Sequence, residues 1–356
     1  MRYAISQGPF YPGWPGALRI DLTIEDGIVQ AAEPSTLRPH PPRAEDWAGL
    51  SLEEGLAGVE HLCAASGDAH ALAYCQALER IAGLEAPPRA RYLRALLAEL
   101  ERIIGHFLTA AQVLQLSGLP NDAGAMLELR EETLSARQQL TGQRFFAGLI
   151  VPGGLQRDLP DLSPLPPLLR RLKGQSYRLA HRIIADRGMI APLIGAGLLT
   201  KEQAEEHGVG GPALRAAEGD RDVRRDQLYA AYGDLELQVI TQGGGDVFSR
   251  WMVFVLEIFE SLRLLEMVLA ALPGGPVRAE VAAIPVGEDQ SRVESPAGPL
   301  VVRVQVDEAS KIVGLWRTPP TPAHLAALPQ TLQGQRLELI GAIVASWGLC
   351  SPCLLR

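Results

Sequence analysis

Cysteine is scarce in this chain: four residues among 356, namely Cys63, Cys75, Cys350 and Cys353. So few thiols exclude a disulfide-stapled scaffold and leave metal binding or plain burial. Positive charge is in deficit as well. Lys and Arg total 33 against 41 Asp and Glu, a formal net charge of −8. That balance argues against nucleic acid as the main partner and offers no electrostatic docking onto anionic lipid. The N-terminus, MRYAISQGPFYPGWPG, lacks a continuous apolar core and does not read as a secretory signal. The expected location is the cytoplasm. One uncharged apolar run exists, residues 339–355, but it is short for a membrane span and holds Ser, Gly, Pro and two Cys. It reads as buried core, which leaves membrane association to partner subunits.

What is present is ordinary globular composition, 47% hydrophobic and 21% charged. The length suffices for one large core or roughly two to three smaller domains. Residues 1–45 are rich in Pro and Gly and hold an alternating segment over 17–25, then Asp26-Gly27 and Ile28-Val29. Alternation followed by Asp-Gly predicts a β-hairpin. Over 52–116 the pattern becomes helical, with apolar residues recurring every three or four positions most clearly over 91–108. Asn121-Asp-Ala-Gly124 is expected to break this run, with a helix resuming over 125–139. Residues 151–154 read as a loop. Further helices are expected over 168–185 and 247–272, the second stopped by Pro273-Gly-Gly-Pro276. Residues 301–306 alternate and read as a strand, and 311–316 as a second. Three regions result: an N-terminal β-hairpin region over 1–45, a helical core over 46–275, and an α+β segment over 276–356.

Two segments carry the chemistry. The chain's last residues include Ser346-Trp-Gly-Leu-Cys350-Ser-Pro-Cys353. A Cys-x-x-Cys turn sets two sulfurs on one side, where they can chelate a soft metal; a buried, unmetallated pair is the competing reading. Far upstream lies Val59-Glu-His-Leu-Cys63-Ala-Ala-Ser66-Gly-Asp-Ala-His70. Taken alone, this is equally a helix start with a buried Cys and a surface His. Together the two segments resemble the large subunit of nickel–iron hydrogenases, which carries an N-terminal C-x-x-C-x-x-x-H and a C-terminal C-x-x-C. Cys63, Ser66 and His70 fall on the first motif, with Ser in place of its second Cys. Cys350 and Cys353 fall on the second. The resemblance continues along nearly the whole chain and is closest to energy-converting membrane-bound hydrogenases and to the D-type subunit of complex I, the NADH-quinone oxidoreductase. Gly8-Pro9 with Leu18-Arg19, Glu99-Leu-Glu-Arg102 with His106, Asp122-Ala-Gly-Ala-Met126 and Arg130-Glu131 follow in order. So do Pro152-Gly-Gly154, Gly210-Gly-Pro212 with Arg215, Asp222-Val-Arg224, Gly245-Asp-Val-Phe-Ser-Arg250 and Glu294-Ser-Pro-Ala-Gly298.

The resemblance implies a mainly α fold with small β elements, a bundle like the hydrogenase large subunit. It implies that Cys63 and Cys350 are terminal nickel ligands, that Cys353 bridges to iron, that Ser66 stands at the other bridge, and that His70 hydrogen-bonds beside the centre. A hydroxyl is a harder ligand of far higher pKa than a thiol, which weakens a nickel–iron centre here. Ala297 stands where the family has an Arg over the open metal position. A zinc site of Cys63, His70, Cys350 and Cys353 is the alternative. The family's proton-relay Glu has its nearest counterpart in Arg43-Ala-Glu-Asp46, so Glu45 and Asp46 are candidate proton acceptors, or a solvated acidic turn. Of the quinone-binding pair of the complex I relative, one position is Tyr11, a candidate hydrogen-bond donor, and the other is Ala64. His106 is expected to be buried and structural, and Cys75 a small core residue. Asp246–Arg250, Asp222–Arg224 and Glu99–Arg102 are expected ion pairs. The implied partners are a small subunit carrying an iron–sulfur cluster, further soluble hydrogenase- or complex I-like subunits, and a membrane arm that holds the chain at the inner face of the cell membrane. In such company NAD, quinone and nickel are all bound. Three functions follow: a redox subunit acting on hydrogen or a replacement substrate, a non-catalytic scaffold, or a quinone-reducing subunit without nickel–iron.

Overall fold

Backbone alternation decides the N-terminal region. The computed structural model describes all residues except 15, 37–42, 282, 351–352 and 355–356. In it, β1 (Arg2–Gln7), β2 (Leu18–Glu25) and β3 (Ile28–Thr36) form an antiparallel meander. The β2–β3 turn is Asp26-Gly27, with φ of 50° and 81°, the double positive φ of the tight hairpin that Asp-Gly favours. β2 buries Leu18, Ile20, Leu22 and Ile24 on one face. β1 is an addition to the expected hairpin; its residues are mostly exposed, so no apolar alternation betrays it. The sheet docks onto the far end of the chain, where Val29 joins Gly334 and Gln335 through backbone hydrogen bonds of 2.8–2.9 Å.

The helical body opens with α1 (Leu52–Glu60), α2 (Gly67–Ala82), α3 (Pro88–Leu116) and α4 (Pro120–Thr141). The break between α3 and α4 falls at residues 117–119, earlier than expected. Pro120 starts α4, where its missing N–H costs no hydrogen bond, and Asn121 to Gly124 lie inside that helix. The expected loop at 151–154 is a minimal hairpin of β4 (Ile150–Val151) and β5 (Gly154–Leu155). There follow α5 (Leu165–Ala185), four short helices α6 (Arg187–Ile190), α7 (Lys201–Glu206), α8 (Gly211–Arg215) and α9 (Val223–Asp226), and the long α10 (Val247–Ala271). A second meander comprises β6 (Gly287–Ser295), β7 (Gly298–Val306) and β8 (Ile312–Thr318). β6 escaped the sequence because its first half is polar and exposed. The chain ends through α11 (Thr321–Leu332) and α12 (Ile340–Ser346). α3 is the central element, packed against α4, α10 and α12, while α2 lies on β6 and β7. Among the described residues, no helix is long and apolar enough to cross a membrane. The 339–355 run supplies the seven fully buried residues of α12; residues 351–352 and 355 of that run lie outside the described residues.

Charged side chains tie these elements together in the core. Arg102, Arg215 and Arg224 are at most 2% exposed. Arg215 meets Glu257 at 2.7 Å and Glu294 at 2.8 Å. Arg224 meets Asp222 at 2.6 Å and Glu99 at 3.1 Å. Arg102 lies 3.5 Å from Glu99 and donates to the Glu294 carbonyl at 2.6 Å. His106, buried as expected, sits 2.8 Å from Glu257 through Nε2. Buried charges survive only when paired in this way. Burial alone would raise the Asp222 pKa, but Arg224 and Arg215 outweigh it and bring the group down to about 2. Two of the three expected pairs therefore form. The third does not. Asp246 instead caps α10 through the Ser249 amide and accepts from the Gly195 amide, each at 2.7 Å. Arg250 spends its donors on the Gly245 and Gly197 carbonyls and on Ser346 Oγ, and its guanidinium lies over Trp347. It thereby anchors α12.

His324 on α11 gives a pH-dependent stability. It is fully buried beside Trp347, its Nε2 is 3.2 Å from the Gly210 carbonyl, and its Nδ1 has no partner. Burial pulls its pKa from 6.5 to about 4. The unfolded chain binds a proton below pH 6.5, whereas the folded chain resists until about pH 4. Stability is thus intact above pH 6.5 and falls by roughly 3 kcal/mol as the pH drops through that window. Urea midpoints measured between pH 7 and 4 are expected to fall less steeply in His324→Leu; an unchanged slope would refute this.

Candidate active site

The first turn of α2 is organised by its neighbours. Ser66 immediately precedes the helix, yet its side chain does not cap it. Glu101 of α3 does so, accepting from the amides of Asp68 at 2.8 Å and Ala69 at 3.1 Å. Arg137 of α4 holds the Asp68 carboxylate in a two-point pair at 2.7 and 3.0 Å. Ser66 Oγ is thereby released to donate to Cys63 Sγ at 3.1 Å. One turn on, His70 Nδ1 is 2.7 Å from the Ser66 carbonyl, and its Nε2 is 3.3 Å from Arg317 Nη1 on β8. A guanidinium only donates, so Nε2 accepts and Nδ1 carries the proton. Burial lowers the His70 pKa, in keeping with a neutral ring.

The far end of the chain reaches the same place. Gly348, at φ 59°, turns the backbone after α12, where an added Cβ would meet Phe254 at 3.1 Å. Cys350 then donates its amide to Thr321 Oγ1 at 3.4 Å. Cys63 and Cys350, 287 positions apart, share a thiol hydrogen bond of 3.0 Å. Cys353 lies 3.9 Å from Arg317 Nη1 and close enough to the other two thiols to feel both. Hydrogen bonds from Cys350 and Cys63, helped by Arg317, hold the Cys353 pKa well below the thiol range despite its burial. Its hydrogen bonds to Cys353 and Cys63, together with burial, push Cys350 well above that range. Cys353 is therefore the most acidic thiol of the set.

A cavity of about 310 Å³ opens beside the sulfurs, lined by Ser66, His70, Cys350 and Cys353. Its other walls come from α3 around Gly105, from the β6–β7 turn at Pro296-Ala297, and from Pro319-Pro320 after β8. Close backbone contact fixes that turn. Gly211 has φ 67°, and a Cβ there would stand 2.5 Å from the Ala297 carbonyl oxygen. Gly211→Ala is expected to cost at least about 2 kcal/mol and to displace the cavity wall; a thermal-shift assay showing wild-type stability would contradict this.

The structure brings together five of the candidates: Cys63, Ser66, His70, Cys350 and Cys353. It does not bring Tyr11, Glu45 or Asp46 to the cavity wall. Tyr11 packs on Trp14, ring centroids 4.5 Å apart. Glu45 and Asp46 are exposed on a single 3-10 turn, where Asp46 accepts the Arg43 amide at 2.8 Å, an ordinary capping role. Cys75 is a buried core residue, as its place in an apolar helix suggested. Two arginines at the site escaped sequence reasoning. Arg317 looks like a surface residue at a strand end, and Arg130 entered only as part of a resemblance.

Fit to a metal centre can be judged from the donors. A nickel–iron centre of the resembled type needs four thiolates, and this chain offers three, with the Ser66 hydroxyl bonded to Cys63. Two thiolates on one tetrahedral metal stand roughly 3.8 Å apart; Cys63 and Cys350 are closer, at 3.0 Å. Both ring nitrogens of His70 are engaged. Among the described residues, no three His, Cys, Asp or Glu side chains are grouped as a metal ion would require. The residues present do not fit nickel–iron.

Residues 122–287 match the family model described as the respiratory-chain NADH dehydrogenase 49 kDa subunit. The second D-type subunit of NADH-quinone oxidoreductase from Rhizobium meliloti is 33% identical over 301 residues, covering 81% of this chain and 72% of that one. The D-type subunit of F(420)H(2) dehydrogenase from Methanosarcina mazei is 28% identical over 355 residues, covering 97% and 95%. Among solved structures, a chain of the membrane-bound sulfane sulfur reductase, an archaeal respiratory membrane complex, superposes with a TM-score of 0.93 at 25% identity and covers 100% of this chain. The shared fold is the helical bundle with small antiparallel sheets that the motifs implied. The protein belongs to the family of NADH dehydrogenase 49 kDa subunits, which includes the D-type subunits of NADH-quinone oxidoreductase.

Proposed function

We propose that this chain is the large redox subunit of a membrane-associated oxidoreductase complex, and that its three-thiol cavity passes electron pairs to a substrate bearing a sulfane sulfur. One observation carries the reading: Cys63, Cys350 and Cys353 converge from opposite ends of the chain, with Cys353, the most acidic of the three, at the cavity wall. The relatives support the setting, since they are subunits of respiratory dehydrogenases, and the structural neighbour belongs to a sulfane sulfur reductase. Hydrogen chemistry is disfavoured by Ser66 and Ala297. Quinone chemistry is disfavoured by Tyr11, which stands away from the cavity, and by Ala64. A pure scaffold would have no use for a polarised thiol set beside a cavity.

The chemistry balances with the residues at hand. The Cys353 thiolate attacks the outer sulfur of a persulfide R–S–SH; RS⁻ departs and takes a proton, leaving a Cys353 persulfide. The Cys350 thiol then attacks the Cys353 sulfur, loses its proton, releases hydrogen sulfide and closes a Cys350–Cys353 disulfide. Two electrons and two protons restore the thiols. The electrons come from an iron–sulfur cluster in a small partner subunit. Arg317 stabilises the thiolate each time it forms. Other soluble subunits and a membrane arm complete the complex, and they hold this chain at the cytoplasmic face of the membrane.

The complex purified with its partners tests this. Inorganic polysulfide should be reduced to sulfide, with nickel far below one per chain. Hydrogen uptake with nickel and iron at one each would overturn the proposal, and zinc at one per chain would mark the thiols as a structural site.

A further inference from the structure

The thiol chemistry leaves one charged group in the cavity wall unexplained. Arg130 of α4 lines the cavity together with Leu108, Gln112 and Phe145. It is partly buried, its Nε is sealed from solvent without a partner, and it makes no hydrogen bond or ion pair with any described residue. Its neighbours behave differently. Glu131 is paired with Arg144 at 2.6 Å, and Arg137, on the same helix, is paired with Asp68 at 2.7 Å. Among the described residues lining the cavity, none is Asp or Glu.

A guanidinium presents five donors and cannot shed its charge, so holding one half out of water with no acceptor is costly. Burial accordingly lowers the Arg130 pKa. An acceptor on a molecule bound in the cavity would remove that cost. The nearest carboxylate, Glu131, is engaged by Arg144, so the cavity wall offers Arg130 no carboxylate of its own. We propose that Arg130 is the seat for an anionic group on the substrate, a carboxylate or sulfonate whose paired oxygens match the guanidinium fork, with the sulfane sulfur directed to Cys353. The sulfur half of this statement rests on the function proposed above; the anion seat does not.

The test compares alkylation of Cys353 in the purified complex by iodoacetate, an anion, and by iodoacetamide, its neutral counterpart. Arg130→Gln should slow the iodoacetate reaction about 10-fold, the loss expected for one charge-assisted contact, and leave iodoacetamide within about two-fold. Arg130→Lys should fall between. An unchanged ratio of the two rates in Arg130→Gln would overturn the seat. A second measurement needs no variant: in the unaltered complex, methanesulfonate should protect Cys353 from iodoacetamide while neutral dimethyl sulfone should not. Equal protection, or none from either, would also overturn it. Should polysulfide reduction fail while both anion preferences hold, the seat stands and only the sulfur assignment falls.

Discussion

Cys353→Ser is expected to lower sulfide release from polysulfide by about 10³-fold or more, with the fold intact. Ser has nearly the shape of Cys, and Cys353 lies at the cavity wall where a small change is easily accommodated. The loss is chemical. Cys353 is the sulfur whose pKa is held down by Cys350, Cys63 and Arg317, and a hydroxyl in its place stays protonated at any working pH. Cys63→Ser should do less, about 10-fold, because Cys63 is buried away from the cavity wall and acts by donating to the thiolate. The initial rate with inorganic polysulfide decides between them. A Cys353→Ser complex that keeps a tenth of its rate would remove Cys353 from the chemistry.

Arg215→Met should destabilise the chain by about 3–5 kcal/mol, far more than a typical core substitution. Arg215 is fully buried and faces Glu257 at 2.7 Å, Glu294 at 2.8 Å and Asp222 at 3.4 Å. Removing the guanidinium leaves Glu257 and Glu294 out of water without their main cation and weakens the hold on Asp222, which keeps Arg224. Arg215 and His106 now hold Glu257 well below the carboxylate range against the cost of burial; without Arg215 that group must take up a proton or admit water. Adding Glu257→Met to the variant should recover part of the loss, since the orphaned charge goes with it. Urea unfolding of the two variants measures both numbers. A loss below about 1 kcal/mol in Arg215→Met would mean the network contributes little to folding.

Much of this molecule could be read before any coordinates, for identifiable reasons. Long helices such as α3 and α10 announce themselves because their apolar residues keep the helical period over many turns. The β2–β3 hairpin is visible because one buried face and an Asp-Gly turn leave a two-residue rhythm. β1 and the first half of β6 are not visible, since they are paired through backbone and bury few side chains. The α3–α4 break is misplaced in sequence because Asn and Gly look like breakers, while Pro120 is in fact a helix starter. At the site, meeting of the two sulfur-bearing segments rested on resemblance, for no local pattern can bring positions 63 and 350 together. Arg130 and Arg317 were missed because the meaning of an arginine lies in what it does or does not pair with. Tyr11, Glu45 and Asp46 were placed by alignment with motifs whose key residues this chain has lost, and alignment could not show that they stand off the cavity.

The most direct measurement is a cross-link between the chain's two ends in the Cys353→Ser complex, where the neighbouring thiol cannot compete. Mild oxidation with diamide, followed by alkylation and peptide mapping, should yield one species joining the peptide of Cys63 to that of Cys350, because their sulfurs need to close from 3.0 Å to only about 2.05 Å. Recovery of both peptides singly alkylated, with no joined product, would show that these sulfurs do not meet.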